Sequence, residues 1–132
     1  MVADRARNRA QGTVMATDRI ARAKALAPRI AAAAERIEAE RELPADLVEA
    51  LHDAGLFRML LPRSLGGGEL PPAEFVQAIE ELAKADASTA WCVAQISGAS
   101  TIAASLDPKV AREIFAPGML LAMGPPLSLI HI

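Results

Sequence analysis

Residues 86–106 read DASTAWCVAQISGASTIAASL, and after Asp86 no charged side chain appears until Asp107. Asp86 is a side-chain acceptor suited to cap a helix that starts at Ala87. The run meets the minimum length for a membrane span. Yet Ser88, Thr89, Gln95, Ser97, Ser100, Thr101 and Ser105 recur through it and no basic flank marks an inside. A central helix of a bundle, enclosed by its neighbours, is therefore the better reading.

The segments on either side are also helical in pattern. Upstream, Pro71-Pro72 opens a helix on which Phe75, Ile79 and Leu82 share a stripe, with Glu74, Glu80, Glu81 and Lys84 facing water. Before it lie the apolar run Leu56–Leu61, Pro62 and the triplet Gly66-Gly67-Gly68, whose spacing fits no phosphate-binding motif and predicts a flexible turn. Pro44 suits the first turn of a further helix with Leu47, Val48 and Leu51 inward, and Gly55 is its left-handed stop. The first helix is predicted over Asp18–Glu42, with Ile20, Leu26, Ile30, Ala33, Ala34 and Ile37 near helical spacing and a kink or break at Pro28. Downstream, Asp107-Pro108 caps a fifth helix that points Val110, Ile114 and Phe115 inward.

Composition agrees with this. Of 132 residues, 52% are hydrophobic and roughly a fifth are Ala, while aromatics are 3% and Tyr is absent. Ala is the best helix former, and the scarcity of β-branched and aromatic residues argues against a sheet. The fold class is all-α, an up-and-down bundle of about five helices. The formal charge of -2 excludes a strongly basic nucleic-acid binder. Charge is uneven, with nine basic and six acidic groups over residues 1–42 and three and eight over 43–86, which fits complementary helix faces.

At the ends, residues 1–14 are polar and basic, lack a signal-peptide core and are expected to form a leader of little order before Met15. The uncharged ending Leu127–Ile132 resembles translated sequencing-adapter read-through. The domain is accordingly expected over 15–126, incomplete at its C-terminal side, with 127–132 foreign to it.

Few residues offer chemistry. One Cys and two His assemble no metal constellation and no nucleophilic triad, so no catalytic residue is assigned. Cys92 reads as a small core hydrophobe. A lone Cys fits a reducing, cytoplasmic setting. His52 reads as a solvated or capping residue beside Asp53. Trp91 and Gln95 lie four apart on one helix face. Two readings stay open there: a core Trp with its N–H bonded, or a pocket wall in which Trp91 is a flat apolar surface and Gln95 a polar handle.

The ordered set Leu43-Pro44, Leu51, Ala54-Gly55-Leu56-Phe57, Leu61-Pro62, Leu65-Gly66-Gly67, followed by Phe75, Glu80-Glu81-Leu82-Ala83 and Asp86-Ala87-Ser88, resembles the N-terminal domain of the acyl-CoA dehydrogenase family. The resemblance implies a flavoprotein of three parts: this helical domain, a middle β-domain and a C-terminal helical bundle, assembled as a homotetramer. FAD and the general-base Glu of true dehydrogenases would belong mainly to the other two parts. It also implies that the helix after Asp86 supplies one wall of the substrate and flavin cavity, mapped onto Trp91, Ala94, Gln95 and Gly98.

The first functional expectation is thus α,β-dehydrogenation of an acyl-CoA by the full-length enzyme, the fragment itself being inactive. The alternative is a hydroxylase branch of the same superfamily, which uses reduced FMN or FAD and oxygen on aromatic substrates. Ala87-Ser88-Thr89-Ala90-Trp91 and Pro62-Arg63-Ser64-Leu65 resemble that branch, and the acidic pair and aromatic that many dehydrogenases place after the Pro are missing. A non-catalytic helical interaction module is the third reading.

Overall fold

The computed structural model describes the backbone of residues 2–119 and the side chains of 18–119. The segment 127–132, read above as foreign, lies outside the described residues, as does the end of the expected domain. In chain order the elements are α1 (Val2–Glu40), α2 (Ala45–Asp53), α3 (Pro72–Ala83), α4 (Ala87–Ala99) and α5 (Pro108–Ile114), with short 3-10 turns at Leu56–Arg58, Arg63–Leu65 and Ser100–Ser105. The fold is all-helical, a bundle of five helices with no strand among the described residues. None of the described helices is long and apolar enough to cross a membrane.

The long first helix continues through one place where the sequence predicts a kink or break: Pro28 lies inside α1 without ending it. A mid-helix proline removes one hydrogen bond and costs about 3 kcal/mol. Pro28 sits on the exposed side, while Ala23, Ile30 and Ile37, at intervals of seven, are buried on the other. Burying Ile30 and Ile37, at about 1.5–3 kcal/mol each, offsets that cost.

That buried stripe packs mainly along α3, and α3 in turn packs against α4. Ala23 on α1 and Ala78 on α3 are both fully buried. Small side chains at these positions let the two helices approach closely. Leu47 and Leu51 of α2, Leu82 of α3, and Ala90 and Val93 of α4 complete the main core together with Leu56, Phe57 and Met59. A second, smaller cluster joins Leu61, Ala103 and Phe115. In α5 only part of the expected inward face is covered: Phe115 is buried, but Val110 and Ile114 are 42% and 38% exposed. Helix α5, seven residues long, packs only lightly against the other described helices.

Polar contacts lock the elements in register. Arg29 and Arg36 of α1 both bind the Asp46 carboxylate at the start of α2, Arg29 at 3.0 Å. Arg19 donates to the Ala54 carbonyl at 2.7 Å, where α2 ends and Gly55 turns left-handed with φ 69°. Arg58 donates to the carbonyls of Leu65 at 2.7 Å and Phe115 at 3.0 Å, tying the loop to the end of α5. The pairing of Arg29 and Arg36 with Asp46 realises the complementarity of the basic first and acidic middle regions.

The glycine triplet is a turn, as expected, but not a loose one. Gly68 N–H donates to the Arg58 carbonyl at 2.9 Å, Glu69 N–H to Leu61 at 3.0 Å and Leu70 N–H to Met59 at 2.9 Å. Gly67 and Gly68 are buried in this ladder. A Cβ at Gly67 would stand 2.0 Å from the Leu61 carbonyl oxygen.

Gly67→Ala should cost about 3 kcal/mol in urea unfolding, because a backbone oxygen must move. Gly98→Ala should instead stabilise by about 0.5–1 kcal/mol, since a Cβ there meets nothing within 4 Å. Two hydrogen-bonded guanidiniums hold the Asp46 carboxyl down at about 2, against an ordinary value of 3.8. Its contribution is therefore complete above the ordinary value and is lost as pH falls through about 2. Urea midpoints followed across that window should drop for the wild type, and Asp46→Asn should remove this part of the drop.

Candidate functional site

The site is built on α4, whose start is set by a side-chain cap. Asp86 accepts from the Thr89 N–H at 2.6 Å and from the Ser88 hydroxyl at 2.7 Å. Burial opposes ionisation of Asp86, but these hydrogen bonds outweigh it and hold its carboxyl below the usual range. At the other end the α-helix tightens into the 3-10 turn at Ser100, so the predicted uncharged helix is two consecutive pieces. The Ser100 hydroxyl donates to Ser97 and the Thr101 hydroxyl to Gly98, satisfying carbonyls at the junction.

Enclosure of this helix on all sides was expected, and the structure corrects that. Thr89, Ala90, Val93, Ser97 and Ser100 are buried on one face. The opposite face is open: Trp91 is 65% exposed, and Ala94, Gln95 and Gly98 are half-buried beside it. The reading of Trp91 as a core residue fails, because α3 and the Leu56–Arg58 turn pack against one side of α4 only. The four cavity-wall residues of the sequence reading do share one face, at spacings of three, four and seven. The result is a flat indole, one amide and a shallow floor of small residues, with no charged side chain on the helix.

Two cavities lie elsewhere on the domain, and none of these four residues lines either. One, of about 590 Å³, lies between the loop and the segment that follows α4, and is lined by Leu60, Leu65, Thr101, Leu106, Glu69 and Arg112 among others. The sequence reading did not find it, because its walls come from segments far apart in the chain. The other, of about 220 Å³, lies between the end of α1 and the start of α4, at Ile37, Arg41, Leu43, Ser88 and Cys92. Burial pushes the Cys92 thiol above its usual value, and the Asp86 charge adds to this, so it stays protonated at neutral pH. That leaves no thiolate nucleophile on α4. His52 is in the last turn of α2 and lines neither cavity.

The open face can bind a planar, largely apolar group and offer it one hydrogen-bonding amide, but it holds no acid or base. Since Trp91 is the only Trp of the chain, its emission reports this face directly. The emission should be red-shifted and quenched readily by acrylamide, and Trp91→Ala should change stability by no more than about 0.5 kcal/mol. A blue, quencher-resistant emission would show the indole to be buried.

Comparison with known proteins agrees with the helical architecture. Residues 15–117 match the family described as "Acyl-CoA dehydrogenase, N-terminal domain". The chain is 36% identical over 73 residues to indole-3-acetate monooxygenase of Acinetobacter baumannii, covering 55% of this chain and 18% of that one. It is 35% identical over 92 residues to the oxygenase subunit HsaA, a flavin-dependent monooxygenase of Rhodococcus jostii, covering 70% and 24%. The crystal structure of the HsaA monooxygenase from M. tuberculosis superposes with a TM-score of 0.72 at 31% identity, over 78% of this chain and 28% of that one. The chain thus spans about a quarter or less of the length of these relatives. With the family's match extending over most of its length, a helical bundle in place and the ordered Pro, Gly and Glu-Glu-Leu-Ala signals on its loops and third helix, the chain belongs to the acyl-CoA dehydrogenase family through its N-terminal domain.

Proposed function

We propose that this domain forms one wall of the active-site cavity of a flavin-dependent monooxygenase that hydroxylates an aromatic substrate. The observation that carries the reading is the exposed indole of Trp91 above Ala94 and Gly98, on a helix face with no charge. Such a face suits stacking against a planar ring. The relatives named above are monooxygenases, and one is named for an indole substrate. Pro62-Arg63-Ser64 in place of an acidic pair and an aromatic points the same way, so hydroxylation is favoured over the α,β-dehydrogenation of an acyl-CoA.

The face also fits a flavin ring as far as shape is concerned, through Trp91 and the small residues beside it. It has no cation for a flavin phosphate, so most of the cofactor's contacts belong to other parts of the full-length protein. When bound, reduced flavin supplies the electrons with which oxygen is activated, whether the cofactor is FMN or FAD. This chain's residues exclude water and orient the ring: Trp91 offers the flat surface, Gln95 a directional hydrogen bond, and Ala94 and Gly98 leave room for close approach. Any proton transfer must be supplied from beyond this face. The homotetramer that the resemblance implies, and the cytoplasmic setting that a lone Cys fits, belong to the same proposal, and the isolated domain has no turnover of its own.

The full-length protein, given chemically reduced flavin, oxygen and an aromatic acid or phenol, should form a hydroxylated product that carries label from isotopically labelled O2. Trp91→Ala should lower kcat/KM by about 10–100-fold, as loss of a central aromatic contact does. Oxidation of an acyl-CoA to its α,β-unsaturated thioester, with no oxygen incorporation into aromatics, would instead support the dehydrogenase reading.

A further inference from the structure

The exposure of Trp91 runs against the hydrophobic effect. At 65% exposed, it is the largest apolar side chain left in water among the described residues. An indole gains by burial, and a turn of α4 about its own axis would carry it toward the core. Polarity does not oppose that turn, since from Ala87 to Ala99 the helix holds no charged side chain. A specific contact is needed to hold the indole outward.

Ser97 makes one. Its side chain is fully buried, and its hydroxyl donates to the Leu56 carbonyl at 2.9 Å. Among the described residues this is the one side-chain hydrogen bond from α4 to another packed element. Asp86, Ser88, Ser100 and Thr101 bond within the helix and at its ends. The other hydroxyl buried on α4, that of Thr89, has no partner among the described residues. Trp91 lies six residues before Ser97, about 120° around the helix at roughly 3.6 residues per turn. A rotation that carried the indole inward would therefore pull the Ser97 hydroxyl off Leu56 and leave it unpaired in the core.

Resting on the reading of the open face as an active-site wall, we propose that Ser97 is the positioning residue of that wall: its hydrogen bond to Leu56 fixes the rotation of α4 that presents Trp91 to the substrate. Ser97 touches no substrate and acts only through the indole. The turn that accepts the bond is itself held, because Arg58 donates to the carbonyls of Leu65 and Phe115.

The test separates positioning from stability. In this 132-residue chain Trp91 is the single Trp and Tyr is absent, so emission and acrylamide quenching read the indole alone. Ser97→Ala removes the donor and leaves a good helix former. Its emission should move to the blue and be quenched less than that of the wild type, with urea unfolding still cooperative. Ser97→Thr keeps the hydroxyl and should emit as the wild type does. In the full-length protein, with phenol as substrate, Ser97→Ala should lower kcat/KM by about 10-fold, and by less than about 2-fold when added to Trp91→Ala. An unchanged emission in Ser97→Ala, whatever its urea midpoint, would overturn the proposal. So would loss of cooperative unfolding in that variant, which would make the bond a requirement of folding instead. A Ser97→Thr variant that behaves like Ser97→Ala, or losses that add in the double variant, would overturn it too. If the emission shifts as expected but the full-length protein hydroxylates no aromatic substrate, the positioning of Trp91 stands and the monooxygenase reading fails.

Discussion

The buried hydroxyl of Ser97 donates to the carbonyl of Leu56 at 2.9 Å, and the rotation of α4 about its own axis depends on this bond. Helix α4 is apolar or weakly polar all round, so hydrophobicity alone gives it little preference for which side to bury. Pairing the Ser97 hydroxyl with that carbonyl avoids the cost of about 1–3 kcal/mol that leaving either group unpaired in the core would carry. With Ser97 facing the Leu56–Arg58 turn, Ala90 and Val93 fall into the core and Trp91, Ala94, Gln95 and Gly98 fall outward. The candidate site is thus the complement of a core contact.

That contact is only as well placed as the turn that accepts it. The turn leads into the segment from Arg58 to Leu70, which doubles back on itself through the ladder of backbone hydrogen bonds at Gly68, Glu69 and Leu70. Gly67 permits the close approach to Leu61, and Arg58 ties the segment to the last carbonyls of α5. One loop therefore positions α4, encloses the larger cavity and anchors the end of the bundle. The clamp of Arg29 and Arg36 on Asp46, with Arg19 on Ala54, performs the corresponding task for α2 against α1.

Much of this was legible in the chain itself. Asp86, Asp107, Gly55 and the paired prolines act locally, through caps and backbone preferences, and the helix boundaries they predict match the structure closely. The buried positions Ile30, Ile37, Leu47, Leu51 and Leu82 also follow from helical spacing. The misreadings have a common cause. Pro28 was weighed as a helix breaker without the burial on the far side of α1 that outweighs it. Val110 and Ile114 have the right spacing for an inward face, but periodicity cannot say whether a neighbour exists to cover it.

The same distinction separates what each level determined about the site. By itself the sequence determined that there is a charge-free helix capped by Asp86, that Trp91, Ala94, Gln95 and Gly98 share a face of it, and that the ordered motifs are those of the acyl-CoA dehydrogenase family. These depend on short-range geometry and residue type. Only the tertiary structure decided that this face is the open one, that the indole is exposed, and that segments distant in the chain come together to line a cavity. Those outcomes depend on which neighbours pack against α4, and long-range contacts of that kind leave no period in the sequence.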